Sequence, residues 1–497
     1  MFNAYIQFNS VSYTYPNSIT TAVQLDSLHI SKGWVAFAGA NGSGKTTTLK
    51  LATGILLPSN GSVTRIDPAV YCRQRTDIPP DNLSEFASDW SGEAISLRDK
   101  LQLEDDWFAR WDTLSHGERK RLQIAVALWR KPAILALDEP FNHLDSKGKD
   151  ILVEAFKQFD GCGLLVTHDR QIMDDICTRC LLFYSDETIF YKANYSSAKK
   201  AEKQRQEQLI FKREKARTKY HALKRDARKK VLQARTIQAH SSMNNVSFKD
   251  ICKFNLDGPS RVDGIVQKAG QRSRVAKVRA ENALKKMESI TYRKKYNSGV
   301  KIKGEISSRN YLLDISKGAI PIGDKQISFP DCLITKNSRI ALTGANGSGK
   351  TTFLNYIRPK LNCRKEEMLW IPQEISTKQS SLIIKKVQAL SSENLGKIMI
   401  MIRRLGSDPK RILNSKIPSP GESRKLLLAT GLINSTLLIV MDEPTNHIDL
   451  PSIECLENAL NSYNGALILV SHDKQFLTNT TNTEWNIKEG VLQKFAK

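Results

Sequence analysis

GANGSGKTT stands at Gly39–Thr47 and again, letter for letter, at Gly344–Thr352. The pattern G-x-x-x-x-G-K-[ST] is a phosphate-binding loop, whose glycines let the backbone curl until successive N–H groups point at the phosphates of a nucleoside triphosphate. Gly39, Asn41, Gly42, Ser43 and Gly44 line the first loop and Gly344, Asn346, Gly347, Ser348 and Gly349 the second, with Thr47 and Thr352 closing each cradle. Lys45 and Lys350 each place a point charge on the phosphates, and the hydroxyls of Thr46 and Thr351 are placed to hold Mg²⁺. VAFAG and IALTG precede the loops as short apolar strands, and LKLAT and FLNYI follow as apolar-periodic helical runs. Two identical copies in a strand–loop–helix setting exclude a chance match.

Working outward, the landmarks recur at one offset. Gly39 pairs with Gly344 at 305, and Ser115 with Ser419, Asp138 with Asp442 and His168 with His472 at 304. One α/β domain is therefore used twice, over 1–195 and 301–497. Between the copies, residues 196–300 contain no Gly or Pro until Gly258. Ala216, Tyr220, Leu223, Ala227, Val231, Ala234 and Ile237 recur every three or four residues, which predicts a long helix with one narrow apolar stripe. A second helix is expected near Gln271–Tyr296, with Val275, Val278, Leu284, Met287 and Ile290 on its stripe, and the two stripes are expected to bury each other in an antiparallel hairpin.

The chain of 497 residues carries a formal charge of +24. Residues 196–300 hold 28 basic and 9 acidic residues, so about +19 of that excess sits in the bridge. A polyanionic partner is implied, nucleic acid ahead of an anionic membrane surface. No apolar run approaches the roughly 18 residues needed to span a bilayer, and the first residues read as no targeting signal, so a cytoplasmic location is expected. Eight cysteines lack a repeated spacing. The single CxxC, Cys177 to Cys180, has no second pair to complete a zinc site.

ILALDEP ends a buried strand with Asp138 and Glu139, and LIVMDEP repeats this with Asp442 and Glu443. The first carboxylate of each pair reaches Mg²⁺ through its water shell; the second orients and deprotonates the attacking water.

These residues resemble the nucleotide-binding domains of ATP-binding cassette (ABC) proteins. The family's LSGGQ signature stands here as LSHGE, with Ser115, Gly117 and Glu118, and as PSPGE, with Ser419, Gly421 and Glu422. Its Q-loop glutamine, which joins the metal site, matches Gln74 in YCRQR and Gln373 in WIPQE; its switch histidine matches His168 in VTHDR and His472 in VSHDK. The resemblance implies two ATP sites, each closed between the phosphate loop of one domain and the signature of the other, with no partner chain required. It is sharper still to the ABC-F family, soluble tandem ATPases that act on the ribosome, whose EPTNHLD matches EPTNHID at Glu443–Asp449 and EPFNHLD at Glu139–Asp145. That family's charged interdomain hairpin, including a segment like SRVAKVRAENALKKMESI, enters the vacated tRNA exit site. The resemblance covers essentially the whole chain and implies ATP and Mg²⁺ as cofactors and ribosomal RNA and tRNA as partners of the linker.

Three departures are notable. Phe141 replaces a Thr. Pro420 has no N–H to offer in the second signature. Tyr15 lies where the family stacks an aromatic ring on adenine, whereas the 305 offset puts Ile320 in the second copy. The 39 residues between Gln74 and Leu114 leave little room for an extra helical arm, which, with SPGE, resembles the antibiotic-resistance branch of the family. The competing readings are the ATPase subunit of a membrane transporter, which leaves the basic hairpin idle, and a DNA-maintenance ATPase, which usually carries far longer coiled coils or zinc modules.

Overall fold

A computed structural model describes residues 4–16, 18–142, 144–184, 187–241, 258–292, 309–322, 325–345, 347–373, 375–405, 407, 409–414, 418, 420–433, 436–445 and 448–496. Two compact units emerge, residues 1–198 with 298–497, and residues 199–297.

In the first unit the two repeats share one sheet order. In the first repeat the strands run Ala69–Cys72, Ile134–Asp138, Cys162–Val166, Gly33–Gly39, Arg179–Phe183 and Thr188–Tyr191 across the sheet. In the second they run Met368–Ile371, Leu438–Asp442, Ala466–Val470, Arg339–Gly344, Thr483–Lys488 and Val491–Ala496, and the sheet continues into a hairpin of Lys325–Phe329 with Gly318–Ile322. The first five strands of each set are parallel and the sixth antiparallel. Their unbroken apolar runs follow from burial on both faces: every residue of Ile134–Asp138, Cys162–Val166, Leu438–Asp442 and Ala466–Val470 is buried.

A parallel sheet presents its loops at the carboxyl ends of its strands, which is where both phosphate loops stand. Each loop turns directly into a helix, Lys45–Ala52 or Lys350–Ile357, through a glycine in the left-handed region, Gly44 at φ 97° and Gly349 at φ 94°. A Cβ on Gly44 would also meet the carbonyl oxygen of Ala22 at 2.6 Å, so the position requires glycine on two counts.

In the second unit, helix Tyr195–Ser241 is 47 residues long and helix Gly258–Ser289 is 32. The first helix turns its predicted stripe inward, with Ala216, Tyr220, Leu223, Val231, Ala234 and Ile237 half-buried and Ala227 buried. The second departs from expectation. It starts earlier than Gln271 and stops at Ser289, and its Val275 and Val278 are about half exposed, while Ala276 and Ala280 pack on Leu223 and Ala227. The seam is thus lined by alanines, and the two valines lie on its exposed flanks. Arg213 closes the hairpin base, donating to the Ile290 carbonyl at 3.1 Å and lying 5.2 Å from the Tyr292 ring centre. The interhelical residues Met243, Phe248, Ile251 and Phe254 lie outside the described residues.

Candidate ATP sites

Each phosphate loop is braced by its own lysine. Lys45 Nζ donates to the carbonyls of Gly39 and Ala40 at 2.9 and 2.8 Å; Lys350 Nζ donates to Gly344 and Ala345 at 2.8 and 2.9 Å. Burial lowers the pKa of both lysines. The hydroxyl of Thr46 donates to Asp138 Oδ2 at 2.8 Å, and that of Thr351 to Asp442 Oδ2 at 2.8 Å. Both loops also hold a buried serine hydroxyl with no hydrogen-bond partner, Ser43 and Ser348. An all-oxygen set of hydroxyl and carboxylate, beside orphaned hydroxyls and loop amides, fits a hard divalent cation carried in on a polyphosphate. Asn346 lies outside the described residues.

Glu139 and Glu443 both end their strands in the left-handed region, at φ 47° and 50°, a conformation that non-glycine residues adopt rarely and chiefly where function demands it. Their amides still extend the sheet, donating to Val166 and Val470, each at 2.9 Å. Their side chains lie beside the two expected histidines: Glu139 Oε1 is 3.2 Å from His168 Nε2, and Glu443 Oε1 is 3.4 Å from His472 Nε2. Burial, then the neighbouring Asp138 or Asp442, pushes Glu139 up to about 8 and Glu443 up to about 7. Burial, then Lys350 and Lys149, pulls His472 down to about 4. Carboxylates whose pKa values stand near neutrality are matched to taking a proton from water.

The cassettes meet at the first loop, where Asn41 donates its backbone amide to Asp449 Oδ2 at 2.7 Å. Asp449 also caps helix Leu450–Asn461, accepting from Ser452 N at 3.1 Å. Burial opposes its charge, but Lys425, the Ser452 hydroxyl and the Asn41 amide hold its pKa below the ordinary value. Its counterpart Asp145 caps helix Ser146–Lys157 and acts electrostatically on Lys350 and His472 of the second site.

Other expected residues sit differently. Ser115 and Glu118 satisfy each other in a capping box, with Ser115 N to Glu118 Oε2 at 2.7 Å and Glu118 N to Ser115 Oγ at 3.3 Å, at the start of helix His116–Trp129 next to Gly117. Ser419 lies outside the described residues, and Pro420 opens helix Pro420–Ile433, followed by Gly421 and Glu422. Proline at the first helical position loses no hydrogen bond, because that N–H has no intrahelical acceptor. Gln373 lines a cleft of about 540 Å³ with Thr351, Trp370 and Asp442, and both Gln373 and Gln74 are exposed. Tyr15 is 40% exposed and its hydroxyl lies 2.9 Å from Thr47 Oγ1. Ile320 does not take the equivalent place: strand alternation turns it into the core against Ile327, 5% exposed, and leaves Ala319 and Pro321 outward.

Three functional neighbours escaped sequence reasoning. Tyr71 donates to Asp138 Oδ2 at 3.0 Å, and the same register position holds Trp370 in the second copy, so only the first Asp receives this bond. Lys120 Nζ donates to the carbonyls of Arg73 and Gln74, and Arg424 donates to those of Gln373 and Glu443. The 304 offset relates Lys120 to Arg424 and was the signal available: a cation in each signature helix ties that helix to its Q-loop.

Residues 24–142 and 330–446 both match the ABC transporter family. The ribosome protection protein VmlR of Bacillus subtilis is 28% identical over 93% of this chain and 82% of its own length. The erythromycin resistance ATP-binding protein MsrA of Staphylococcus epidermidis is 27% identical over 97% of both chains. The chain carries tandem ABC domains and is similar over nearly its whole length to members of the ABC-F family. Its two ABC domains bind and hydrolyse ATP. The fold also resembles the solved structure of RNase-L Inhibitor, with a TM-score of 0.61 over 96% of this chain and 87% of that one, at 18% identity. No helix among the described residues is long and apolar enough to cross a membrane.

Proposed function

We propose that this ABC-F ATPase works on the ribosome, using its basic hairpin to contact ribosomal RNA and tRNA, and that it protects translation from a ribosome-targeting antibiotic. The observation that carries the reading is the placement of charge: the hairpin holds about +19 of the +24, on helices whose Arg225, Arg228 and Lys229 are exposed. The names of VmlR and MsrA support the protective role.

In each site the loop amides and Lys45 or Lys350 bind the phosphates, and Thr46 with Asp138, or Thr351 with Asp442, would hold Mg²⁺, which would supply positive charge to neutralise the phosphates. Glu139 and Glu443 orient water and take its proton, and His168 and His472 hold those carboxylates in place. Tyr15 stacks on adenine in the first site. Closure around ATP favours the ribosome-bound form and hydrolysis releases it.

The test is co-sedimentation of the Glu139→Gln/Glu443→Gln protein, loaded with ATP, against ribosomes, DNA and anionic vesicles. Retention on ribosomes alone is expected. Retention on DNA or vesicles instead would overturn the reading.

A further inference from the structure

Arg170 stands two residues after His168, at the start of helix Arg170–Ile176. Its guanidinium forks onto the carboxylate of Glu457 in the other cassette, Nη1 reaching Oε2 at 3.2 Å and Nη2 reaching Oε1. Nη2 also lies 3.6 Å from Oδ2 of Asp473, the residue after His472. The three side chains are 7, 10 and 12% exposed. Burial works against the charge of Arg170, yet the Glu457 bond and Asp473 outweigh it, and its pKa stands raised.

The arrangement is not repeated across the pseudo-two-fold relation of the cassettes. The 304 offset puts Lys474 opposite Arg170 and Val153 opposite Glu457, so the first cassette has no carboxylate at the position equivalent to Glu457. Asp169, the counterpart of Asp473, is instead held within its own cassette by Lys149 Nζ at 2.8 Å, and the counterpart of Lys149 is Ile453. Two pairs of positions thus break the symmetry by charge, Glu457 against Val153 and Lys149 against Ile453.

We infer that Arg170 is a positioning residue that couples the two ATP sites, joining the segment after His168 to the segment after His472. The inference rests on the assignment of those histidines and of Glu139 and Glu443 given above. The physical reason is the cost of burial. A bidentate pair compensates the desolvation of both ions only in register, so the Arg170–Glu457 fork favours the one closed alignment in which Asp473 is also gripped. His472 and Glu443 lie 3.4 Å apart, and a displacement of that segment is passed through Asp473 to Arg170 and so to His168. Among the described residues, Lys474 makes no ion pair matching that of Arg170. Coupling through one guanidinium makes turnover at one site depend on the state of the other.

The experiment measures steady-state ATP turnover of the full chain with one site blocked, in native and Arg170→Met backgrounds. Two independent sites would lose about half their turnover on Glu443→Gln. In the native background the loss is expected to be roughly tenfold, the fivefold excess being at the low end of allosteric couplings. In the Arg170→Met background it should return to about twofold. Glu457→Gln, which keeps the shape of the partner, should relax the coupling in the same way and serves if Arg170→Met fails to fold. The charge exchange Arg170→Glu/Glu457→Arg should restore part of it. An unchanged tenfold loss in both Arg170→Met and Glu457→Gln would overturn the inference. A Glu443→Gln protein with undiminished turnover would instead overturn the assignment on which it rests.

Discussion

Asp449 of the second cassette accepts the backbone amide of Asn41 in the first phosphate loop at 2.7 Å, so a residue far along the chain completes the first ATP site. Because the same carboxylate caps helix Leu450–Asn461, its removal has two consequences that can be separated. Asp449→Asn keeps a capping group, since Asn and Asp cap about equally well, and loses the charge facing the loop. Thermal stability should fall, because the buried Lys425 loses its counter-charge, and kcat/KM for ATP should fall roughly tenfold. Asp449→Ala should lower both, with about 1 kcal/mol more of stability lost with the cap. Calorimetry and ATPase assays on the two variants check this.

Glu139→Gln/Glu443→Gln removes both proposed bases and keeps their shape. Turnover should fall at least about 100-fold, the usual contribution of a general base, while ATP binding persists. Undiminished phosphate release by this variant would sink the assignment.

The raised pKa values also set a pH dependence. Both folded-state values, about 8 and about 7, lie above that of an ordinary glutamate, so the folded protein keeps protons that the unfolded chain has released. Their contribution to stability is fully present below the unfolded pKa and is lost as pH rises through 7 to 8. The nucleotide-free protein should therefore melt at a lower temperature at pH 9 than at pH 6, and the double Gln variant should flatten that slope. In the same range kcat/KM should rise with pH as the free enzyme's glutamates ionise.

Tyr15→Ala should weaken nucleotide binding at the first loop by about 1 kcal/mol, the value of a lost aromatic stack. Ile320→Ala should act otherwise. Its side chain lies in the core of the second cassette, so the variant should lose about 2–5 kcal/mol of stability and leave intrinsic nucleotide affinity largely intact. Site-resolved nucleotide titrations beside thermal melts distinguish the two behaviours.

Charge reversal at Arg225, Arg228 and Lys229 should abolish ribosome association and leave ribosome-free ATP hydrolysis nearly unchanged, and binding of the native protein should weaken by orders of magnitude between 50 and 200 mM salt if about six to ten phosphates are touched. Ala276→Leu tests the hairpin itself. A leucine facing Leu223 and Ala227 overpacks the seam, costing about 1–3 kcal/mol, and should reduce the helicity of the isolated hairpin signal in hydrogen exchange before either cassette unfolds. Sedimentation in a salt series and exchange mass spectrometry provide the readouts.

The sequence alone determined the doubled α/β architecture, the two phosphate loops, the carboxylate pairs and the charge of the bridge. Each depends on chemistry local in the chain: glycines that only a tight loop requires, apolar runs that only a two-sided sheet buries, and motifs repeated at one offset. The tertiary structure decided what local chemistry leaves open. Ile320 shares an offset with Tyr15, but strand alternation within the hairpin Gly318–Phe329 turns it inward, and no sequence offset carries that information. Val275 and Val278 fit a helical stripe as well as Ala276 and Ala280 do, and the packing of one helix on the other selected the alanines. Tyr71 on Asp138, Asp449 on Asn41 and Arg170 between Glu457 and Asp473 join residues 67, 408 and 287 or more positions apart. Such pairings arise when separate elements pack together, and only packing brings distant charges within reach of one another.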